Sequence, residues 1–334
     1  MNENNRYLVS AYGLGENLSP LVHSEEKLGN KTFFRRLSIK SGDTVVTAPV
    51  ISGNSFRGAW RDLAAIHLVE TLDIRQVSKL AFVTLFSGGA LTSGSDEARK
   101  LTQSLYAHFP SLSLLGFSMG NRMYASRVGV DFAVPLTAET MAYAAAAYPK
   151  QENALPHTTV TSGQITAMTM MTRKKDDEKA LLVDLKIEGA EEENTKAQES
   201  EERSRTQMIF HVEYVVPNTT FVHGFRTVYP VSELEFGALL KILELSSQRS
   251  YGGQGSRGFG RMNWRYTLNW GTSLDDLDSQ QGQIRLGQDL HFDEPLAAFK
   301  TSYENHVKKL GAIIRADQVL GKRIQFGGDE EQGE

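Results

Sequence analysis

Five glycines fall within residues 252–260, in the run Ser250-Tyr251-Gly252-Gly253-Gln254-Gly255-Ser256-Arg257-Gly258-Phe259-Gly260-Arg261. A backbone this poor in side chains approaches a ligand closely and presents several N–H groups together, which suits an anion. Arg257 and Arg261 add forked guanidinium donors matched to phosphate or carboxylate. Gly253, Gly255 and Gly258 satisfy G-x-G-x-x-G, but the run follows a helical pattern and precedes a strand, whereas the dinucleotide fingerprint needs the reverse. No Gly-Lys-Ser/Thr closes it, so it is not a Walker loop. The structural alternative is a flexible helix-to-strand turn.

A second segment, Pro49-Val50-Ile51-Ser52-Gly53-Asn54-Ser55-Phe56-Arg57-Gly58-Ala59-Trp60-Arg61, carries a strand through a small polar turn into a helix. The first amides of such a helix have no internal partner and form an anion site. Ser52, Gly53, Asn54 and Ser55 line the turn, with Asn54 or Ser55 the expected N-cap. Arg57 and Arg61, four apart, share a helix face and are placed to grip one phosphate strand. The plainer alternative is a capped helix with two solvated arginines.

Other chemistry is limited by composition. The chain has 334 residues, no cysteine, 40% hydrophobic and 23% charged residues. A core is therefore expected, and thiolate catalysis and cysteine-held metals are excluded. The eight histidines show no ligand spacing such as H-x-x-x-H, and no cofactor or metal is expected. Net charge is −4, but it is unevenly spread: 186–203 holds seven acidic and three basic residues, and 327–334 four acidic and none basic. The remainder has 33 basic against 29 acidic residues, so the acidic sum does not exclude nucleic acid. No basic-then-apolar leader and no apolar run of about 18 residues is evident, so the expectation is a soluble, cytoplasmic protein without a membrane partner.

The elements that must position these residues read as follows. Tyr7–Gly13 alternates as a strand, a strand-like run surrounds Arg35–Ile39, and 43–51 leads into the polar turn. The pattern predicts a mostly helical region over 59–112, strand character at Ser126–Val134 and a short helix at Ala142–Ala147. Met208–Val216 and Thr219–Val228 alternate and are expected to pair across Pro217-Asn218. Ser232 and Glu235 form a capping box ahead of the stripe Phe236, Leu239, Leu240 and Leu243. Arg261–Leu268 is a strand, and the remainder is polar with a helix at Leu296–Ile314. There is no convincing internal repeat.

Taken in order, these segments resemble the RAMP superfamily of CRISPR-associated proteins, most closely the backbone subunit of type IV effector complexes and next that of type III. Between the two motifs, Leu114-Leu115-Gly116 followed by Gly120-Asn121-Arg122 and Ala125-Ser126-Arg127-Val128 is similar to the family's "LFG…SR" entry. Met208–Phe221 looks like its "EVVPAGTxF" hairpin. The resemblance covers residues 1–268. It implies an α+β fold: an RRM-like (ferredoxin-like) antiparallel sheet core from 1–58, 113–150 and 208–270, with a helical insertion at 59–112. A thumb-like β-hairpin at 151–207 would contain the acidic stretch, and 271–334 would be an extension with an acidic tail.

The implied function is non-catalytic binding of guide RNA (crRNA) by several copies of the chain, alongside other CRISPR effector subunits. The guide would be held by its phosphates and presented to a target nucleic acid. The implied contacts are Ser52, Gly53, Asn54, Ser55, Arg57, Arg61, Asn121, Arg122, Arg127, Gly252, Gly253, Gln254, Gly255, Ser256 and Arg257. Met168 and Met170, with Met171 beside them, would wedge next to a displaced nucleotide or pack within the hairpin. No RNP-type aromatic cluster is present for base stacking. Type III backbones cleave target with an aspartate after the first strand; Gly13–Arg36 has Glu16, Glu25 and Glu26 but no aspartate, and Asp43 lies beyond it. No cleavage is therefore expected. The alternatives are a guide-processing endoribonuclease of a sister RAMP family with His23 as general acid or base, and a scaffold that binds no nucleic acid.

Overall fold

The computed structural model describes residues 5–74, 79–89, 108–119, 121–149, 155–173 and 208–316. Strand β1 (Arg6–Asn17) organises the chain. Its odd positions Val9, Ala11, Gly13 and Gly15 are buried, and its even positions are partly open. This alternation places β1 centrally, with one face against helices. Helix α1 (Gly53–Thr71) follows, then β8 (Val128–Val130), β12 (Thr220–Thr227), helix α5 (Glu233–Ser246) and β14 (Met262–Gly271).

The main sheet runs β16-β15-β14-β1-β12-β8, where β15 is Gln280–Leu286 and β16 is His291–Phe292. β1 pairs antiparallel with both β12 and β14, and β12 with β8. The four core strands therefore stand in the order 4-1-3-2 with two helices on one face, the ferredoxin-like α+β arrangement implied by the resemblance. β9 (Val134–Pro135) and β13 (Val231–Ser232) add short pairings to β12 and β1.

Aromatic rings fill the space between sheet and α1. Trp264 and Tyr266 of β14 lie across Gly15 and Gly13 of β1, so that a Cβ on either glycine would sit 2.3 Å from a ring carbon. Phe56 of α1 stacks on buried His223 of β12 at 4.2 Å between ring centres. α1 buries Phe56, Trp60, Ala64, Ala65 and Leu68, the spacing of one helical stripe. Its N-cap is Ser52, whose hydroxyl accepts from the Ser55 amide at 3.2 Å. The cap thus lies ahead of the expected Asn54 or Ser55, because Gly53 is pressed against the Val130 carbonyl, which leaves no room for a Cβ.

α5 has the expected capping box of Ser232 and Glu235. Behind it packs α6 (Glu294–Ala316), tied by Lys241 to Glu304 at 2.8 Å and by Lys300 to Glu244. The insertion contributes α2 (Lys79–Ser87) and α3 (Pro110–Leu115), followed by the hairpin β6 (Phe117–Met119) and β7 (Arg122–Tyr124). On the opposite face of the sheet, the hairpin β4 (Arg36–Ser41)–β5 (Thr44–Pro49) and helix α4 (Met141–Ala147) cover the β1–β12 half around Tyr12, Leu14 and Val222.

A separate four-stranded sheet has the order β10-β11-β3-β2, from β10 (Thr166–Arg173), β11 (Met208–Val215), β3 (Lys31–Phe34) and β2 (Ser24–Leu28). β10 and β11 form the thumb-like hairpin, so its second strand lies beyond the expected 151–207, in residues expected in the core; the acidic stretch 186–203 expected within it lies outside the described residues. β11 and β12, expected to pair with each other, do not. β11 pairs with β10 and β3, while β12 joins β1 in the main sheet. The chain changes sheets at Pro217-Asn218, where buried Asn17 intervenes. Its amide donates to the Val216 carbonyl at 2.9 Å and its oxygen accepts from the Thr219 amide at 2.8 Å. Among the described residues no helix is long and apolar enough to cross a membrane.

Candidate nucleic-acid interface

The antiparallel neighbours β1 and β14 bring the end of one strand beside the start of the other. The segment after β1 therefore meets the glycine loop before β14. The Pro20 carbonyl accepts from the Gly260 amide at 2.8 Å, and the Val22 carbonyl from the Gly253 amide at 2.7 Å. The Arg261 amide donates to the Ser19 hydroxyl at 3.0 Å. Gly252, at φ 75°, brings its backbone against the Val22 carbonyl, 2.0 Å from where a Cβ would stand. A side chain there would collide and be strained as well.

His23, next to Val22, carries the contact onward. Its Nε2 accepts from the Ser52 amide at 3.3 Å. Burial, and then the nearby charge of Arg35, push its pKa down to about 4. A ring that is neutral at pH 7 keeps the lone pair this bond needs. Phe56, one turn into α1, lies 5.2 Å from Tyr251 at the entry to the loop, ring centre to ring centre. The cap of α1 and the glycine loop, some 200 residues apart in the sequence, thus converge on Val22–His23.

The loop surface is open. Gly252, Gly253, Ser256, Arg257 and Gly258 are exposed, and Gln254 and Gly255 are half-buried. Gln254 takes a left-handed conformation, φ 64°, and Gly255–Arg257 forms one 3-10 turn. Among the described residues, the amides of Gly252, Gln254 and Gly255 donate to no protein acceptor. Clustered free amides of this kind are suited to an anion. Asn54 at the start of α1 is exposed, Ser55 is half-buried, and Ser52 and Gly53 are buried.

Arg57 and Arg61 are neither solvated nor turned toward the groove. Both donate to the Leu115 carbonyl at the end of α3, at 3.3 and 3.0 Å, and Arg61 also reaches the Gly116 carbonyl at 3.4 Å. A helix C-terminus carries partial negative charge and unpaired carbonyls, which explains the attraction. Burial, with the Arg57 charge beside it, lowers the Arg61 pKa. These arginines fasten the insertion to α1.

Arg127 is likewise occupied, with Nε 3.2 Å from Glu235 and an N–H donated to the Pro230 carbonyl at 2.8 Å. Glu235 is buried and also meets Arg6 at 3.4 Å and the Ser113 hydroxyl. Asn121 and Arg122 are exposed at the tip of the β6–β7 hairpin; no contact joins them to the loop.

The thumb-like hairpin does meet the loop, through Met171 rather than Met168 or Met170. Arg257 donates to Sδ of Met171 at 3.1 Å, and its guanidinium lies 5.8 Å from the centre of the Phe210 ring. Met171 pairs with Phe210 across the hairpin. Met168 and Met170, on the alternate face, are 43% and 60% exposed and leave the hairpin open to solvent. Phe210 and Leu18–Val22 were not among the sequence candidates, and His23 was one only as the acid or base of the endoribonuclease alternative. The aromatic beside Met171 at a paired position was the available signal.

No protein-family model matches the chain, and no curated protein does. Its fold is found among solved structures. A chain of a type IV-B CRISPR complex aligns with TM-score 0.50 and 16% identity, over 79% of this chain and 91% of that one. Csc2 of Thermofilum pendens aligns with TM-score 0.39 and 12% identity, over 98% of this chain and 90% of that one. The class is therefore an α+β protein built on a ferredoxin-like antiparallel sheet. More particularly, the chain shares the fold of a chain of that type IV-B CRISPR complex.

Proposed function

We propose that this chain is a non-catalytic backbone subunit of a CRISPR-type ribonucleoprotein, and that it holds guide RNA by its phosphates in the groove where the α1 cap meets the glycine loop. Copies would repeat along the guide, beside other effector subunits, and leave base edges free for a target. The observation that carries this reading is the convergence of Ser52 and Gly253 on the neighbouring residues His23 and Val22. It ties the loop, with its free amides and exposed Arg257, through Val22 and His23 to the start of α1, where Asn54 is exposed. Shared fold with a chain of a type IV-B CRISPR complex supports the assembly.

The endoribonuclease alternative places His23 at the reaction centre. Its depressed pKa leaves little imidazolium to act as an acid at pH 7, and the Ser52 amide engages the Nε2 lone pair that a base would use, which favours a positioning role.

The test is RNA retention by the full chain. The parent should purify with RNA, read as a high ratio of absorbance at 260 to 280 nm. Replacing exposed Ser256 and Arg257 by Glu puts carboxylates where phosphate should sit. It should lower retention by tenfold or more, on the order expected when charge-assisted contacts are lost and repulsion is added. Full retention by the folded variant refutes the groove, and a parent free of RNA at every salt concentration favours the scaffold. Cleavage of precursor RNA that is lost in His23→Ala favours the nuclease.

A further inference from the structure

A strip of the main sheet beside the glycine loop carries exposed arginines on a largely polar face. The open face of the β1–β12 half is closed by α4 and the β4–β5 hairpin, whereas among the described residues no element closes the face of β14–β16. Across it, Arg265 of β14 stands directly opposite Arg285 of β15, which stands opposite His291 of β16. All three are exposed. His291 is paired with Asp293 at 3.1 Å, whereas the side chains of Arg265 and Arg285 make no ion pair or hydrogen bond among the described residues. Like charges directly opposite each other destabilise a sheet. Here two stand about 5 Å apart across the strands, and neither forms an ion pair among the described residues.

The arginine pair forms a ridge between two hollows of about 210 and 470 Å³, both lined by both arginines. Glu16 and Asp289 rim the first without pairing with either guanidinium. Asp293, in the second, is taken up by the Gln283 amide at 2.7 Å and by His291. The strip also continues from the glycine loop. Arg261 is exposed, its side chain likewise without a partner among the described residues, and it shares strand parity with Asn263 and Arg265. Four residues along a strand set Arg261 and Arg265 roughly 13 Å apart on one face.

We infer that this strip is a second phosphate-binding surface, which receives single-stranded nucleic acid as it leaves the glycine loop. The track past Arg261 rests on the proposed groove; the Arg265–Arg285 ridge stands by its own geometry. Guanidinium forks match phosphate bidentately, and Asn263, Thr267, Asn269, Gln281 and Gln283 supply neutral donors around them. A nucleic acid fits better than an acidic protein because the exposed residues around the arginines are polar, and apart from buried side chains the apolar part of the hollows is limited to half-buried Tyr12 and Leu14. Trp264, Tyr266, Leu268, Trp270, Ile284 and Leu286 all point to the buried side, whereas protein interfaces rely on apolar and aromatic anchors. The one exposed ring of the strip among the described residues, His291, is held by Asp293, so the strip reads backbone rather than bases.

The experiment compares the full chain with its Arg265→Ala/Arg285→Ala variant. Fluorescence anisotropy follows short labelled poly-U RNA and poly-T DNA between about 50 and 200 mM salt. Losing two phosphate contacts should reduce the slope of log affinity against log salt by about 1.4, with unfolding midpoint unchanged or slightly raised. Equal loss for RNA and DNA assigns the strip to phosphate of either kind, and loss confined to RNA assigns it to RNA. Unchanged slopes for both overturn the inference. So does a variant that binds both oligonucleotides as the parent does but no longer binds polyglutamate, which would make the strip a protein-docking face. Failure of the groove is read separately, as full RNA retention by the Ser256→Glu/Arg257→Glu variant.

Discussion

His23 joins the two halves of the groove, and its titration offers a direct test of that junction. In the folded chain its pKa is pushed down to about 4, first by burial and then by Arg35; in the unfolded chain it returns to about 6.5. Between these values the unfolded state binds more protons, so stability is fully present above about pH 6.5 and falls as pH drops toward 4. At pH 5 the linkage from such a shift amounts to about 2 kcal/mol, and solvent reaching the half-buried ring reduces it to about 1 kcal/mol. His23→Gln places an acceptor near the position of Nε2 without a titrating proton. Urea unfolding of parent and variant at pH 7 and pH 5 should show the parent losing about 1 kcal/mol more than the variant. His67, His223 and His306, also depressed by burial, contribute equally to both proteins and cancel. An NMR titration placing His23 near 6.5, or identical pH dependence in the two proteins, would refute the Ser52–His23 bond as the link.

Two further substitutions separate structural from ligand-facing charge. Arg61→Ala removes the bonds to the Leu115 and Gly116 carbonyls and should cost about 1–2 kcal/mol in urea unfolding, while RNA retained per folded molecule stays at the parent level. A loss of RNA without a loss of stability would return Arg61 to the groove. Glu235→Gln preserves the capping box but removes the charge facing Arg127 and Arg6. The buried carboxylate makes a cost of about 2–3 kcal/mol the expected result, discounted for the partial exposure of Arg127. An unchanged midpoint would mean that the cap alone holds this helix start.

The parts of the fold legible in the sequence were those whose cause is local. Ser232 and Glu235 sit three apart and cap each other, so the start of α5 follows from spacing alone. The start of α1 is different. Ser52, Asn54 and Ser55 are all competent caps by type, and the choice is made by Gly53 abutting the Val130 carbonyl, a contact with a distant strand. The same limit explains the β11–β12 connection. Two alternating runs joined by Pro-Asn look like a hairpin, but the Asn17 side chain bonds on both sides of the turn and sends each strand to a different sheet. β15 was passed over because its inward residues, Gly282, Ile284 and Leu286, include a glycine and are separated by glutamines and an arginine. The alternation is present, but weak in apolar content.

For the site, topology supplied what motif chemistry could not. Once the core strands take the order 4-1-3-2, the residues after β1 and those before β14 must lie at one end of neighbouring strands, so Leu18–His23 and the glycine loop have to meet. Residue type then misleads where a competing anion is nearer than any ligand. Arg57, Arg61 and Arg127 have the chemistry of phosphate binders, yet a helix terminus and a buried carboxylate lie within reach and take them. Arg257, Arg265 and Arg285 have the same chemistry and form no ion pair among the described residues, although Glu16 and Asp289 line the hollow beside the last two. What separates the two sets is the supply of internal acceptors, which sequence spacing does not encode. It follows that charge reversal at the first set should be felt mainly in unfolding, and at the second mainly in the salt dependence of binding.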